Sequence, residues 1–216
     1  MNAIAWLTDI MLQLLNYINN FTGNYGLSII ILTVVINTLL YPLTAISIKQ
    51  MGAMQKIQPK MKEIQAKHKE NPQQMQKEIM ELYKKEKVNP FGGCLPMLLK
   101  IPFFLALFFA LKDSNISQGF LWLISLSQPD KTMIMPIAIG ITTYLSQKSM
   151  PNVASGDAYN ATKTMNTMMP FLIAAISVGF PSGVQLYWVV ANLVAYLQQA
   201  YIQKKQNVSR ETFCEA

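Results

Sequence analysis

Long apolar stretches alternate with polar segments along the chain. Five stretches approach the roughly 20 residues that a helix needs to cross a bilayer, and the third and fourth are the shortest. We predict spans at 27–48, 91–111, 132–147, 165–180 and 183–203. The pattern indicates an all-α, polytopic membrane protein rather than a soluble domain with an apolar core.

Composition and charge predict how these helices are oriented across the membrane. Only 13% of residues are charged, against about 25% in soluble domains. Fifteen Lys and Arg residues fall in three predicted connecting segments, and two fall in the segments on the other side. The basic segments are the hairpin 49–88, the loop 148–164 and the tail 204–216, and the others are the N-terminal 1–26 and the loop 112–131. The positive-inside rule therefore predicts an external N-terminus and a cytoplasmic C-terminus.

The first 21 residues form a segment of a different kind. Apolar side chains recur there at helical spacing, namely Ile4, Leu7, Met11, Leu14, Leu15 and Ile18. We expect an amphipathic helix over 1–21 on the outer membrane surface, and the missing basic stretch argues against a standard signal peptide. Cys94 and Cys214 fall near the reducing cytoplasmic side, so we expect no disulfide.

The segment 49–88 predicts a cytoplasmic helical hairpin. Two narrow apolar seams run along it: Met54, Ile57, Met61 and Ile64, then Met75, Ile79 and Leu82. Asn71 is placed as an N-cap with Pro72 at the first helical position. Pro59 is expected to kink the first arm.

The hairpin carries ten lysines against five glutamates. This surface could simply keep a coiled coil solvated. It could instead contact anionic lipid headgroups, ribosomal RNA or partner proteins. The candidate contact residues are Lys56, Lys60, Lys62, Lys67, Lys69 and Lys77.

Motifs for enzymatic chemistry are missing from the sequence. It has neither a phosphate-binding loop nor a dinucleotide fingerprint, and His68 is its one histidine. We expect no enzyme activity, no cofactor or metal, and no DNA partner. The predicted spans contain no Asp or Glu, which disfavours a proton-driven carrier.

Two polar residues interrupt the predicted spans. Lys100 lies inside the second span, where a charge costs from about 2.5 to above 10 kcal/mol. It could snorkel to the headgroups, lose its proton through desolvation, or face a hydrated pocket. Asn37 lies in the first span at a similar depth, about 16 Å from the cytoplasmic end against about 13 Å for Lys100. We expect the two to share a wet pocket, although Asn37 could equally make an interhelical hydrogen bond.

Four sequence blocks together carry a family resemblance. They read "GLSIIILTVVINTLLYPLT", "MQKIQPKMKEIQ", "LYKKEKVNPFGGCLPMLLKIPFFLALFFAL" and "FPSGVQLYWVVANLVAYLQQ". In this order the chain resembles the YidC/Oxa/Alb membrane-protein insertase family from about Trp6 to Gln203. The resemblance implies a single core over 1–203, with five helices around a hydrophilic groove that opens to the cytoplasm and lipid. It also implies insertion of nascent membrane proteins without nucleotide hydrolysis, with the hairpin assisting recruitment.

The resemblance also implies a set of groove residues and one departure. The family usually has arginine where this chain has Asn37, and glutamine where it has Lys100. We hypothesise that Lys100 supplies the positive potential of the groove while Asn37 keeps a polar lining. The other candidates, for which ordinary packing stays open, are Thr33, Thr143, Gln147, Gln185, Tyr187 and Trp188, the last two matching positions implied to contact clients.

Partners and rival functions follow from the same resemblance. It implies nascent membrane-protein clients and a bacterial cell membrane, and it leaves a Sec-type translocon and the ribosome open as partners. A membrane-anchored assembly scaffold is the main alternative function. A small-solute channel is a third, which a closed outer end would disfavour.

Overall fold

The computed structural model describes residues 3–69, 71–89, 95–113, 116, 118–149 and 157–214. The predicted start of the second span at 91–94, which includes Cys94, lies outside these ranges. The described residues form eight α-helices. They are α1 Ala3–Thr22, α2 Tyr25–Leu39, α3 Tyr41–Lys67, α4 Pro72–Lys85, α5 Leu95–Asp113, α6 Ile134–Lys148, α7 Asp157–Ser177 and α8 Ser182–Cys214. The predicted all-α class is confirmed.

Helix α8 is the central element of the bundle. It packs against α2 and α6, with smaller contacts to α3 and α5, while α1 packs against α2 and α5, and α7 packs against α6. The core includes Leu15, Ile29, Leu111, Leu126 and Val184, each at most 1% exposed. The predicted N-terminal helix is thus present, and its Leu15 is buried in the bundle.

The predicted first span is bent rather than straight. Helices α2 and α3 meet at Leu40 with a bend of 58°. Pro42 explains the break because proline has no N–H to donate to the carbonyl of Thr38 and its ring crowds that group. Judged by length and composition, none of the described helices alone could cross a membrane, whereas the bent pair α2–α3 could.

Three further boundaries differ from the sequence prediction. Helix α3 continues from the first span into the hairpin, through Pro59 without a break. Helix α7 begins at Asp157, inside the predicted loop 148–164. Helix α8 continues to Cys214 through the predicted tail, where no proline or glycine follows Gly183 to stop it.

The hairpin forms as predicted. Met54, Ile57, Met61 and Leu82 are buried in a cluster of their own. The side chain of Asn71 caps α4 by accepting a hydrogen bond from the N–H of Gln74 at 3.1 Å.

An ion pair between Lys60 and Glu86 and a close contact between His68 and Glu78 join the arms of the hairpin. Lys60 Nζ lies 2.6 Å from Glu86 Oε1, and His68 Nε2 lies 2.9 Å from Glu78 Oε1. The hydrogen bond and charge of Lys60 lower the pKa of Glu86. Both pairs are partly exposed, so each contributes little to stability.

The end of the bundle opposite the hairpin carries the connecting residues 116 and 118–133, and we call it the loop end. Gln118 holds the junction of α1 and α2, since its Oε1 accepts from the N–H of Tyr25 at 2.9 Å and its Nε2 donates to the carbonyl of Gly23 at 3.0 Å. The backbone of the connection also bonds the start of α8, with Ser182 N–H donating to Gln128 O at 2.8 Å. Backbone and side-chain hydrogen bonds thus tie the loop to three helices.

Asp130 is the buried carboxylate of the loop end, at 5% exposure. One oxygen accepts from the N–H and hydroxyl of Thr132 at 2.9 and 2.6 Å, and the other accepts from the N–H of Met135 at 2.8 Å. Burial alone would raise the pKa of Asp130, but these hydrogen bonds outweigh it and hold the pKa below its ordinary value. Asp130 therefore caps α6 as a fully satisfied anion.

Candidate functional site

Polar side chains concentrate where α2, α6 and α8 meet, in the half of the bundle nearer the hairpin. Asn192 Nδ2 on α8 donates to Thr143 Oγ1 at 2.9 Å and to Thr142 Oγ1 at 3.3 Å on α6. Gln198 Nε2 donates to the backbone carbonyl of Asn37 at 3.1 Å on α2. We call these five residues the polar cluster. It joins α8 to helices on both of its sides.

A second group of hydrogen bonds continues toward the hairpin end. Ser149 Oγ donates to Gln199 Oε1 at 2.8 Å, and Gln203 Nε2 donates to the carbonyl of Ser149 at 2.7 Å. Gln198 and Gln199 are consecutive, so they lie at one level of α8, with Gln198 bonded to α2 and Gln199 to the end of α6. Polar contacts thus flank α8 at that level.

Several amide atoms in this half are buried without a partner among the described residues. They are Asn37 Oδ1, Gln147 Oε1, Gln198 Oε1 and Gln199 Nε2. Asn37 is only 2% exposed, and its Nδ2 donates to the carbonyl of Thr33 at 2.8 Å. A buried unpaired polar atom costs about 1–3 kcal/mol, so these amides do not serve stability alone.

Lys100 is not brought to Asn37 by any observed hydrogen bond. It lies partly buried on α5, and within the described ranges its ammonium has no ion pair or hydrogen bond. The side chain that reaches Asn37 comes from α8 instead. The shared pocket of Lys100 and Asn37 therefore stays a prediction.

The remaining candidates fall into two groups. Thr33 and Thr143 are buried in the same half as Asn37, and Thr33 Oγ1 donates to the carbonyl of Ile29 at 2.6 Å. Gln185, Tyr187 and Trp188 lie toward the loop end. Gln185 is fully buried and donates to the carbonyl of Ser177 at 2.6 Å.

Tyr187 and Trp188 pack against aromatic residues of α5. The ring centroid of Phe104 lies 6.3 Å from that of Tyr187 and 5.1 Å from that of Trp188. Phe180 lies 6.4 Å from Trp188 and completes the cluster. Tyr187 is 6% exposed, so packing accounts for most of its surface.

Sequence reasoning missed Asn192, Gln198 and Gln199. A signal was present, because Gln185, Asn192 and Gln199 recur every seven residues and so share one stripe of a helix. The neighbouring Gln198 has no such periodicity, and only the packing of α2 against α8 reveals its role.

The hairpin lysines are spread over an exposed surface. Lys56, Lys62, Lys67, Lys69 and Lys77 are exposed, as is Lys60, which pairs with Glu86. No group of three or more His, Cys, Asp and Glu suited to a metal ion occurs among the residues that the structure describes. The hairpin surface therefore offers exposed positive charge, and the polar cluster offers hydrogen bonds.

Comparison with known proteins assigns the family. A family model described as "60Kd inner membrane protein" matches residues 17–210. The membrane protein insertase YidC of Geobacter sulfurreducens is 40% identical over 203 residues, covering 93% of this chain and 38% of that protein. The protein of that name from Syntrophus aciditrophicus is 42% identical over 205 residues, covering 94% of this chain and 37% of that protein.

A solved structure shows the same similarity in three dimensions. It is described as an active YidC insertase with its first transmembrane domain resolved, and it matches with a TM-score of 0.68 at 25% identity. The match covers 93% of this chain and 46% of that one. The chain spans less than half the length of these relatives, and it belongs to the 60Kd inner membrane protein family, which includes the YidC insertases.

Proposed function

We propose that the chain is a membrane-protein insertase and folding chaperone that inserts nascent proteins into the bilayer through a hydrophilic groove without nucleotide hydrolysis. The observation that carries the proposal is the set of unpaired buried amides in an apolar helical bundle. The similarity to proteins named YidC insertase over nearly the whole chain supports it. In this view the chain is not an enzyme, since it changes the location of a client and not its covalent bonds.

The proposed topology has five spans in a bacterial inner membrane. They are α2 with the start of α3, then α5, α6, α7 and α8, with the N-terminus outside and the C-terminus in the cytoplasm. Among the described helices only the bent pair α2–α3 is long and apolar enough by itself, so the other four spans rest on the apolar stretches of the sequence and on the family. The unequal distribution of Lys and Arg between the two sets of connections supports this orientation. The loop end then faces outward and the hairpin faces the cytoplasm.

Insertion in this arrangement needs no fuel. Polar groups inside the cytoplasmic half shorten the stretch of hydrocarbon that a client's polar segment must cross. Burial of the client's apolar helix in lipid then supplies about 25 cal/mol per Å² of apolar surface. The protein lowers a barrier, and the client's own transfer provides the driving force.

Lys100 is proposed as the cation of the groove. A lone lysine within predicted spans that contain no Asp or Glu can attract the acidic tail of a client electrostatically. We expect Lys100→Gln to slow the insertion of a client with several acidic residues before its span, and Lys100→Arg to retain most of the rate. Equal insertion rates for Lys100→Gln and the original chain would contradict this role.

The exposed hairpin lysines are proposed to contact anionic lipid headgroups or client-delivering partners such as the ribosome or a Sec-type translocon. Each lysine near an anionic membrane surface contributes about 1 kcal/mol of attraction. Replacement of Lys56, Lys67 and Lys77 by Gln should weaken binding of the protein's cytoplasmic face to vesicles rich in phosphatidylglycerol. Unchanged binding would leave these lysines a solubilising role.

Reconstitution in liposomes tests the proposed function. The purified chain is placed in protein-free vesicles, a single-span client is added, and protease is applied from outside. An insertase protects the client's translocated tail without added nucleotide. A scaffold would bind the client but leave its tail accessible, and that result would overturn the proposal.

A further inference from the structure

Two side-chain amides lie at the contact between α2 and α8, and each points its NH2 group at a backbone carbonyl. Asn37 directs its Nδ2 to the carbonyl of Thr33, and Gln198 directs its Nε2 to the carbonyl of Asn37. The oxygens Asn37 Oδ1 and Gln198 Oε1 are buried and accept no hydrogen bond from the part of the chain that is described. In both amides, therefore, the oxygen is the atom that lacks a hydrogen-bond partner.

The surroundings fix this orientation. A backbone carbonyl can only accept, so the NH2 group of each amide must face its carbonyl partner and the oxygen must face away. The contact of Gln199 with Ser149 does not fix an orientation in this way, because the Ser149 hydroxyl also bonds the carbonyl of Ser146 and can either donate to or accept from the amide. Among the described residues of this half, Gln147 on α6 also leaves one oxygen unpaired, but only the α2 side holds two such oxygens on hydrogen-bonded residues of contacting helices, at Asn37 and Gln198.

We propose that Asn37 and Gln198 form an acceptor site that binds hydrogen-bond donors in the polar segment of a client, such as ammonium, guanidinium or backbone N–H groups. The inference rests on the proposed function. The two buried amide oxygens can only accept hydrogen bonds, so they need a donor. The carboxylate of an acidic client would place another acceptor oxygen against them. Gln198 is then a specificity-determining residue of the groove.

A binding measurement with paired peptides tests the site. The full chain is placed in phosphatidylglycerol nanodiscs, and two single-span peptides are compared, with tails of four lysines or four glutamates. We expect Asn37→Leu and Gln198→Leu to weaken binding of the lysine-tailed peptide about tenfold, the scale of one hydrogen bond to a charged group. Binding of the glutamate-tailed peptide should change less than twofold.

The comparison isolates hydrogen bonding, because neither substitution changes a charge. Thr38→Val is the matched control, since Thr38 is the exposed neighbour of Asn37 on α2 and bonds only its own helix, at Val34. It should affect neither peptide. Equal losses for both peptides in Asn37→Leu and Gln198→Leu, or a loss in Thr38→Val as large as theirs, would overturn the acceptor site.

One further variant keeps the test decisive. Gln198→Glu retains acceptor oxygens and should strengthen binding of the lysine tail while weakening that of the glutamate tail, even if Asn37→Leu fails to fold. If the Gln198→Glu protein kept the original ratio of affinities for the two peptides, the proposed acceptor site would be contradicted. Protection of client tails in liposomes is scored separately, so loss of insertion with intact donor preference counts against the proposed function alone.

Discussion

The two ends of the helical bundle treat their polar groups differently. At the loop end, Asp130 and Gln118 have both of their polar atoms bonded, and the start of α8 is hydrogen-bonded to the loop. In the half nearer the hairpin, Asn37, Gln147 and Gln198 each retain a buried oxygen without a partner within the described ranges. Gln185 and Asn19 are exceptions near the loop end, each with one unpaired oxygen.

If the proposed function holds, this difference separates an end that stabilises the fold from an end that binds clients. Hydrogen bonds that are satisfied within the protein add stability and leave nothing for another molecule to bind. Amides that are left unpaired cost stability, and a site that must bind varied polar segments has a use for them. The loop end should therefore be sensitive to substitution in its stability, and the hairpin half should be sensitive in its binding.

Overpacking at the loop end should have the largest effect on stability. A Cβ at Gly26 would overlap the ring of Phe120, so we expect Gly26→Ala to lower the free energy of unfolding by about 2–3 kcal/mol. Gly179→Ala is the control, because a Cβ there meets nothing within 4 Å. Denaturation in mixed micelles measures both, and equal stability of the two variants would show that the loop end is not tightly packed.

Loss of the cap at Asp130 should have the next largest effect on stability. Asp130→Asn should destabilise the protein by about 2 kcal/mol at pH 7, since the amide must turn its NH2 group toward N–H donors. The pKa of Asp130 is lower in the folded state, so its stabilisation is complete above the unfolded value of about 3.9 and is lost as pH falls through the folded value. Thermal unfolding of the two proteins should therefore differ at pH 7 and converge at acid pH; a constant difference would refute the capping role.

The paired part of the polar cluster should have a smaller effect. Asn192→Leu removes the hydrogen bonds to Thr142 and Thr143, for an expected loss of about 1 kcal/mol. Double substitution of Asn192 and Thr143 measures the coupling. If the two changes add independently, the hydrogen bond between α6 and α8 contributes nothing.

Replacing Asn37, whose Oδ1 is unpaired within the described ranges, should have the smallest effect on stability. Asn37→Leu removes an acceptor that has no partner among the described residues, together with one hydrogen bond within α2, from Nδ2 to the carbonyl of Thr33, so we expect the free energy of unfolding to stay within about 0.5 kcal/mol of the original. The same denaturation experiment checks it. A loss as large as that of Asp130→Asn would erase the distinction between the two ends.

Helix identity could be predicted because each helix carries a local signal. The apolar stretches, the seam through Met54 and Met61 and the cap at Asn71 all lie within a few residues of the structure they specify. The bend at Leu40 was also readable, since Pro42 marks it, but the unbroken hydrophobic pattern on both sides favoured one straight span. Boundaries in polar sequence, such as the start of α7 at Asp157, have weaker signals.

The candidate site could be predicted only in part. Asn37 is conspicuous because polar residues are rare in an apolar stretch, whereas its partner Gln198 lies midway along α8, where a polar run begins. A contact across 161 residues depends on how α2 and α8 pack, which no local pattern encodes. The shared pocket of Lys100 and Asn37 stays a prediction for the same reason, because it depends on how α5 lies relative to α2, and α2 packs on α1 and α8 while α5 packs chiefly on α1.

Client protection of single cysteines along α8 tests the central distinction most directly. Cys94 and Cys214 are replaced by serine, and Gln198→Cys or Val184→Cys is introduced, the latter being a fully buried position at the loop end. We predict that a water-soluble maleimide labels Gln198→Cys, that a stalled single-span client blocks this labelling, and that Val184→Cys stays unlabelled with or without the client. Labelling of Gln198→Cys that the client leaves unchanged, or equal labelling of the two positions, would contradict the account.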